Sequence, residues 1–492
     1  MNVNPITRLD YPDPDVIRVE DTYYMVSTTM HFMPGCEILQ SFDLVHWEHV
    51  TYVYETLDHT DAQQLKSGQN IYGQGMWAAS LRYHEGRFCI CFVANDTRKT
   101  YLYTSEKIDG PWKKQLIEGF YHDGSLLFDE DGRNYIVYGN DEIWITELNE
   151  DLTAPKKDGL HRLLVSDHKN PELGYEGSHI QKINGYYYIF LIHSLRDRWM
   201  RTEACFYSDS LEGEFTGGDV LCDDRGYCGQ GVAQGGIVDT PDGKWYAMLF
   251  QDSGAVGRIP ILLPVTWKDH FPFFGQNGHV PEEIEVHSTR PGYIYQPLVG
   301  SDDFCNGLLP RWQFNHDPDP RYYHLDALQG TYTITTREVC TELTQAVNTL
   351  TQRMSYPSCA AEVTVDASAL KEGDVAGLCA LQNCYAAVGI TKHHGKYEVL
   401  MLDKKEDGIL DMTEGTVVES HQMDFRLEAD FCNMKDEARC YYRVNKGDWL
   451  PIGTVHKLYF KLDHFTGCRF GLFCYAAEET GGSACFRDFK YY

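Results

Sequence analysis

The feature of this sequence that most restricts its fold is a short pattern that recurs five times in the first three hundred residues. Each copy is a tight turn containing Gly or an acidic residue, followed by alternating aromatic and β-branched residues. The copies occupy residues 20–26, 85–90, 130–137, 184–189 and 241–248. Because Gly or Asp supplies the positive φ of a turn and alternation is typical of a strand, each copy predicts a β-hairpin.

The spacing of the copies predicts how the hairpins assemble. Successive copies lie roughly 45–65 residues apart, which is the length of a four-stranded propeller blade with its loops. Helical periodicity is scarce, so the pattern favours an all-β domain over an α/β domain. We therefore predict a five-bladed β-propeller over residues 1–295. An irregular β-sandwich could also contain five hairpins, and the repeat alone leaves that alternative open.

A second domain is expected after the repeat ends near residue 290. The length of 492 residues exceeds that of one ordinary core. Residues 288–304 have the composition of a linker. Alternating segments such as 360–365 and 397–402 follow it, and their spacing suits an antiparallel β-sandwich over residues 296–492.

The charge of the chain narrows its partners. It has 43 Lys and Arg against 72 Asp and Glu, a net charge of −29. Such a field repels phosphate backbones and anionic lipids, which argues against nucleic-acid and membrane partners. It suits a neutral substrate such as an oligosaccharide, although acidity that only aids solubility fits equally well. The 33 Tyr, 23 Phe and 9 Trp suit a large β core, and their rings can stack on sugars.

The cysteines and the N-terminus bear on the compartment. The 16 cysteines form no zinc-like CxxC pairs and lack the density of a small disulfide scaffold. Cys89 and Cys91 alternate with apolar residues, as buried thiols do. The first residues show no basic-then-apolar leader, and no run approaches membrane-spanning length. We expect a reduced, cytoplasmic protein, although a chain whose leader had been removed would look the same.

Three acidic residues stand at the heads of predicted strands, where propeller strands meet the central cavity. Asp13 lies between two prolines, which restrict its backbone as a catalytic base requires. Asp123 occurs in His-Asp-Gly-Ser and Glu176 in Glu-Gly-Ser-His. Glycoside hydrolysis needs one protonated and one ionised carboxyl group across the scissile bond. Taken singly, each of the three acids fits a turn residue equally well.

Taken together, these contexts resemble, in order and spacing, the catalytic triad of glycoside hydrolase family 43. Similar stretches elsewhere in the propeller region are residues 33–47, 76–83 and 233–246. In the second domain, three segments look like the concanavalin-like β-sandwich appended in the family's β-xylosidase and α-L-arabinofuranosidase branch. Those segments are residues 301–304, 312–316 and 348–353. The resemblance covers nearly the whole chain.

The resemblance implies an exo-acting, inverting enzyme that releases terminal xylose and/or arabinofuranose from xylo- and arabinoxylo-oligosaccharides. Asp13 would be the general base that activates water, and Glu176 the general acid. Asp123 would orient the acid and keep its pKa high through like-charge repulsion. Inversion implies that base and acid stand about 6.5–9.5 Å apart, which leaves room for water.

The resemblance also implies three substrate-binding residues. Trp77 would form a wall of the sugar pocket, with a blade-core tryptophan as the alternative. Arg258 would bind sugar hydroxyls, with a buried ion pair as the alternative. Many family members have a histidine, often involved in holding a central metal, where this chain has Gln234. The amide carbonyl suits Ca²⁺ but cannot replace an imidazole, so a structural calcium stays open and the chemistry requires no cofactor.

Two other functions remain open at this stage: an endo-arabinanase on the same propeller, and a carbohydrate-binding propeller without catalysis. By analogy, the appended sandwich favours exo action, and the presence of all three acids favours an enzyme. The chain has no HExxH, GxSxG or Walker motif, so those catalytic templates fail. The sequence does not decide between xylose and arabinofuranose, and we expect both activities. It says nothing about the oligomeric state.

Overall fold

A computed structural model describes residues 2–492, and nearly all of its regular structure is β-strand. Twenty strands between Asp15 and Phe274 form five four-stranded antiparallel sheets. The innermost strands of these sheets are neighbours around a ring, which closes between the fifth sheet and the first. The predicted five-bladed propeller is confirmed. Within residues 2–492, four short 3-10 helices are present at Lys66–Gly68, Gly254–Val256, Leu343–Gln345 and Cys432–Met434.

The blades are numbered I to V in chain order, and each is listed from its inner strand outwards. Blade I is Asp15–Val19, Thr22–Val26, Gly35–Ser41 and Glu48–Tyr54. Blade II is Met76–His84, Arg87–Ala94, Lys99–Ser105 and Lys113–Ile117. Blade III is Ser125–Phe128, Asn134–Asn140, Glu142–Leu148 and His161–Ser166. Blade IV is Glu176–Ile183, Tyr186–Ser194, Arg201–Ser208 and Thr216–Leu221. Blade V is Val232–Asp239, Trp245–Asp252, Arg258–Lys268 and Phe271–Phe274.

The repeated pattern forms the turn between the first two strands of each blade. In blade II, Glu85 and Gly86 both have positive φ, at 49° and 78°. In blade IV, Asn184 and Gly185 have φ of 50° and 84°. Two successive positive φ values match the right-handed twist of the strands that a two-residue hairpin joins. The turn residues thus set the register of the inner hairpins.

A charged network on the propeller axis joins the inner strands. The Arg82 guanidinium donates to Asp15 Oδ2 at 2.7 Å, to Ser125 Oγ at 2.7 Å and to the Leu126 carbonyl at 2.9 Å. Asp15 Oδ1 lies 3.1 Å from His179 Nδ1. Burial acts to raise the pKa of Asp15, but the Arg82 charge and the contact with His179 bring it below its usual value. Blades I to IV therefore meet at one buried ion pair.

The second domain consists of two packed antiparallel sheets, which confirms the predicted concanavalin-like sandwich. In spatial order, one sheet is Leu410–Met412, Lys396–Lys404, Ala386–His393, Val375–Leu381, Arg469–Tyr475, Leu350–Arg353, Gln313–Asn315 and Phe32–Met33, with Thr416–Val418 pairing beside Lys396–Lys404. The other is Tyr323–Asp326, Thr331–Thr335, Ser483–Tyr491, Ser358–Asp366, Gln422–Asp430, Glu437–Val444 and Leu450–Lys457. A buried apolar core that includes Phe425, Leu472 and Phe486 fills the space between them.

The two domains share a strand and a buried ion pair. Phe32–Met33, which belongs to the propeller part of the chain, pairs with Gln313–Asn315 of the sandwich. Arg353 of the sandwich contacts Glu37 of blade I at 2.9 Å, and both side chains are almost fully buried. Among the described residues, no strand lies between Ile284 and Gln313, and the boundary predicted at 295/296 falls in that segment.

Two further observations concern helices and thiols. None of the helices within residues 2–492 has the length and apolar character needed to cross a membrane. All 16 cysteines are free thiols. Cys89 and Cys91 are buried, and burial raises the pKa of both, to about 11 and about 12. These two thiols pack as small apolar side chains, as predicted.

Loss of the axial guanidinium should destabilise the fold. Arg82→Met leaves the buried Asp15 carboxylate without its main partner, so the free energy of unfolding should fall by about 3–5 kcal/mol in urea titrations. Arg290→Met is the matched control, since Arg290 pairs with Asp21 at the surface and should cost at most about 1 kcal/mol. Equal losses in the two variants would show that the axial network does not hold the blades together.

Candidate active site

A cavity of about 960 Å³ opens where the inner strands of the propeller begin, and both domains line it. It brings together all six residues singled out in the sequence: Asp13, Trp77, Asp123, Glu176, Gln234 and Arg258. The sandwich contributes Met434, Asp436, residues 457–462 and Phe465. A second cavity, of about 440 Å³, lies at the other end of the inner strands and contains none of the six.

Three β-bulges aim side chains into the main cavity. The pairing of the inner strand with the second strand shifts register at 76–79, 176–179 and 233–236. Trp77, Gly177 and Gln234 lie inside these bulges, and a bulge redirects the side chains around it. Gly177 and Gln234 have φ of 64° and 60°. A Cβ at Gly177 would lie 2.7 Å from Gln234 Cγ, so only glycine fits beside Glu176.

Gln234 is fixed by a residue that the sequence did not reveal. Its backbone N–H donates to Glu203 Oε2 at 2.7 Å. Glu203 is fully buried, and burial raises its pKa well above the usual value, which favours the neutral carboxyl group. A neutral carboxyl group costs far less to bury than a carboxylate. Glu203 therefore supports Gln234 from behind the cavity wall.

Asp13 is held by the blades on either side of the ring closure. It is 5% exposed, with φ of 52°. Its Oδ2 accepts a hydrogen bond from Thr28 Oγ1 at 2.5 Å, and its Oδ1 accepts one from Arg258 Nη1 at 2.9 Å. The Nε and Nη2 groups of Arg258 have no hydrogen-bond partner among residues 2–492. Both groups are buried, and buried donors without a partner are rare in proteins.

Glu176 and Asp123 form a second acidic group, on blades III and IV. Asn140 Nδ2 donates to Glu176 Oε2 at 2.8 Å, and the Gly177 N–H donates to Asp123 Oδ2 at 3.1 Å. Burial raises the pKa of Asp123 to about 6; the nearby His122 charge opposes this rise, and the Glu176 charge adds to it. The Asp123 carboxyl group therefore takes up a proton as the pH falls through about 6, with the Glu176 carboxyl group beside it.

One wall of the cavity comes from the sandwich. The Phe465 ring centroid lies 4.3 Å from the Arg258 guanidinium carbon and 5.6 Å from the Trp77 ring centroid. The loop that carries Phe465 is anchored by the Gly467 N–H, which donates to Asp10 Oδ2 at 2.8 Å. Asp10 Oδ1 also accepts a hydrogen bond from the backbone N–H of Arg258 at 2.8 Å. One buried aspartate thus positions both the sandwich wall and Arg258.

Several of these residues were missed by the sequence reasoning. His122 stands beside Asp123 in the quoted His-Asp-Gly-Ser motif, and that position was a usable signal. Thr28, Asn140 and Phe465 carry no local motif, because their role depends on contacts between distant segments. Trp199, with 42% of its surface exposed at the cavity rim, likewise carries no signal in its sequence neighbourhood.

The described residues do not fit a calcium ion on the propeller axis. Calcium takes six to eight oxygen ligands. The oxygens nearest the axis, on Asp15, Ser125, Leu126 and Ile180, already accept hydrogen bonds from Arg82. In the part of the chain that the structure describes, one trio of metal-ligating side chains has donor atoms within 4.8 Å of one another: His122, Asp123 and Glu176. That trio consists of the acidic pair and an imidazole, so it does not supply the set of oxygen ligands that calcium takes.

Comparison with known families matches both domains. The profile of Glycosyl hydrolases family 43 matches residues 3–272. The chain belongs to this family. The profile of the Beta xylosidase C-terminal Concanavalin A-like domain matches residues 301–492. The family 43 assignment agrees with the propeller and with the resemblance found in the sequence.

Individual relatives cover most of this family 43 chain. A beta-xylosidase of Formosa agariphila is 26% identical over 98% of this chain and 88% of that protein. A non-reducing end alpha-L-arabinofuranosidase of Bacteroides ovatus is 24% identical over 83% and 79%. A solved structure described as a bifunctional GH43-CE protein of Bacteroides eggerthii is 42% identical, with a TM-score of 0.93, and covers 100% of this chain. This chain spans 63% of the length of that protein.

Calcium removal should leave the protein unchanged, because the Arg82 guanidinium takes the place of a cation on the axis. We expect the same midpoint of thermal unfolding after dialysis against EDTA and after addition of calcium chloride, measured by circular dichroism. A midpoint that falls in EDTA and recovers with calcium would contradict this interpretation of the axis.

Proposed function

We propose that this family 43 chain is an exo-acting, inverting glycosidase that removes terminal xylose and arabinofuranose units from xylo- and arabinoxylo-oligosaccharides. The observation that carries the proposal is the division of the carboxyl groups within one cavity. Asp13 is held by blades I and V, whereas Glu176 and Asp123 are held by blades III and IV. In a ring of five blades these two pairs of blades lie across the axis from each other.

The division of the carboxyl groups matches the needs of an inverting displacement. Asp13, whose two oxygens accept from Thr28 and Arg258, is placed to take a proton from water on one side of the sugar. Glu176 is placed to protonate the glycosidic oxygen on the other side. Water then attacks the anomeric carbon as the leaving group departs, which inverts its configuration. Asp13 lies outside the cluster formed by His122, Asp123 and Glu176. An inverting mechanism requires such a separation, because a water molecule stands between the base and the acid.

The walls of the cavity support binding of a single terminal sugar. Trp77 and Phe465 present aromatic faces, and such faces stack on sugar rings. Arg258 also lines the cavity, and its buried Nε and Nη2 groups have no hydrogen-bond partner among residues 2–492. The sandwich loop closes one side of the cavity, whereas an endo-acting enzyme needs a cleft through which a polymer can run. This closure favours exo action over the endo-arabinanase alternative.

Pentose specificity is supported by the relatives. Those named above include a beta-xylosidase and a non-reducing end alpha-L-arabinofuranosidase, and both align with most of this chain. Both names describe removal of a pentose. A cavity that one sandwich loop closes suits such a reaction, because it has room for the end of a chain and not for its middle. We therefore extend both activities to this chain.

The pH dependence should follow the acidic pair. Burial raises the pKa of Asp123 to about 6, and Asp123 lies beside the proposed acid Glu176, so kcat/KM should fall as the pH rises above that value. Asp123→Asn removes one of two mutually repelling carboxylates, so this basic limb should move to lower pH. The check is a pH profile of initial rates for both proteins. A limb that stays in place in Asp123→Asn would show that Asp123 does not modulate the acid.

The proposed activity is tested with an aryl β-D-xylopyranoside and an aryl α-L-arabinofuranoside, together with the corresponding oligosaccharides. Glu176→Ala should lower turnover of the oligosaccharides by roughly 10²–10⁴-fold, because their leaving groups need protonation, and should affect activated aryl leaving groups less. Glu212→Ala, an exposed glutamate on the same blade, is the matched control and should keep the wild-type rate.

Two results would contradict the proposal. Wild-type protein that hydrolyses neither substrate would remove the activity itself. Normal turnover of oligosaccharides by Glu176→Ala, with an unchanged unfolding midpoint, would remove Glu176 from the chemistry. Proton NMR of the first-formed sugar would report the anomeric configuration, and retention would contradict the role given to Asp13.

A further inference from the structure

His122 lies beside both carboxyl groups of the acidic pair, and the reaction described above leaves it without a role. Its Nε2 atom is 3.6 Å from Asp123 Oδ2 and 3.6 Å from Glu176 Oε2. That nitrogen is buried and has no hydrogen-bond partner within residues 2–492. The ring centroid of Trp77 is 5.9 Å away, and both residues line the cavity. An imidazole with two carboxyl groups on one side is in a strongly charged position.

With one proton on the acidic pair, the charges of the inner cavity balance only if this imidazole is protonated. Asp13 is balanced by Arg258. An imidazolium at His122 balances one of Asp123 and Glu176, so a single proton on that pair makes the inner cavity neutral. With a neutral imidazole, the same state would carry one uncompensated negative charge. A buried net charge is costly, so the pair would then take up protons more readily.

We propose that His122 stays an imidazolium throughout the working pH range and acts through Asp123 and Glu176, limiting this pair to one proton. One carboxyl group is then ionised while the other is the acid, at a pH where an isolated buried pair would hold more protons. The proposal rests on the proposed glycosidase function. His122 exchanges no proton with the substrate in this scheme.

The electrostatics of the site agree with this role. The Asp123 charge, with Glu176 and Asp13 adding to it, raises the pKa of His122 to about 9 although burial acts to lower it. The charged groups that act on the imidazole are therefore acidic: Asp123, Glu176 and Asp13. The nearby cation, Arg258, is paired with Asp13. The other charged side chains of the cavity wall are Glu172, Arg201, Asp252, Asp436, Lys457 and Lys461. Of these, Arg201 and Asp252 form an ion pair with each other.

Asp436 needs its own control. Burial raises its pKa to about 6, in the range where the acidic pair titrates. Its titration could therefore be mistaken for that of the pair in a rate profile. Every profile should be measured again in an Asp436→Asn background, where any effect that belongs to the pair persists.

The first experiment is the pH profile of kcat/KM. His122→Gln should move the basic limb upwards by roughly one to three pH units, since removal of a cation within about 4 Å makes both carboxyl groups hold protons to higher pH. His122→Lys keeps a positive charge and should bring the limb back towards the wild-type position. His46→Gln is the matched control, because His46 contacts the Asp43 carboxylate outside the cavity.

The second experiment does not depend on the variants being active. In wild-type protein labelled at histidine, the NMR signal that disappears in His122→Gln should report an imidazole that stays protonated up to about pH 9. An imidazole that is neutral at pH 6 would overturn the proposal. The proposal would also be overturned if His122→Gln raised KM and left the basic limb of the pH profile in place, because that result would indicate that His122 contacts the sugar.

These outcomes separate the proposal from the function on which it rests. Wild-type protein without glycosidase activity would contradict the proposed function, while the NMR titration would still decide the charge of His122. If the enzyme is active and depends on Glu176, but the basic limb of kcat/KM is the same with glutamine, lysine or histidine at position 122, only the inference about His122 is contradicted.

Discussion

The buried contact between Arg82 and Asp15 is the constraint on which the rest of the propeller depends. A guanidinium on the axis can reach four blades at once, through the Asp15 carboxylate, the Ser125 hydroxyl and backbone carbonyls. The same inner strands begin at the rim of the main cavity, so an axis held in register also fixes the positions of Asp13, Asp123 and Glu176. Blade V, where the ring closes, lies outside this network and contacts blade I through its own inner strand.

The second organising feature is the opposition of two polar groups across the cavity. On one side, Asp13 is bound by an arginine and a threonine; on the other, two carboxyl groups surround an imidazole. Both sides contain cations, but they serve different ends. The arginine holds a carboxylate as an acceptor, whereas the imidazole lies beside a pair that must keep one proton. Environment, and not residue type, separates the two kinds of acid.

The sequence predicted most of what local chemistry decides. Hairpin turns such as Glu85-Gly86 fix their own geometry, and the motifs around Asp13, Asp123 and Glu176 mark strand heads, so blade number and cavity residues could be predicted. Residues whose role depends on distant partners could not. Phe465 reaches the cavity because the Gly467 N–H donates a hydrogen bond to the distant Asp10. Arg82 lies within residues 76–83, which the resemblance included, but nothing in that stretch indicated its contacts with the other blades.

The contacts that join the ends of the chain set an order for its synthesis. Strand Phe32–Met33 waits for residues 313–315 before it can pair, and Asp10 waits for Gly467. The cavity therefore lacks its Phe465 wall until the sandwich has been made and has folded. A fragment that ends within the propeller carries the three acids without the enclosure in which they work.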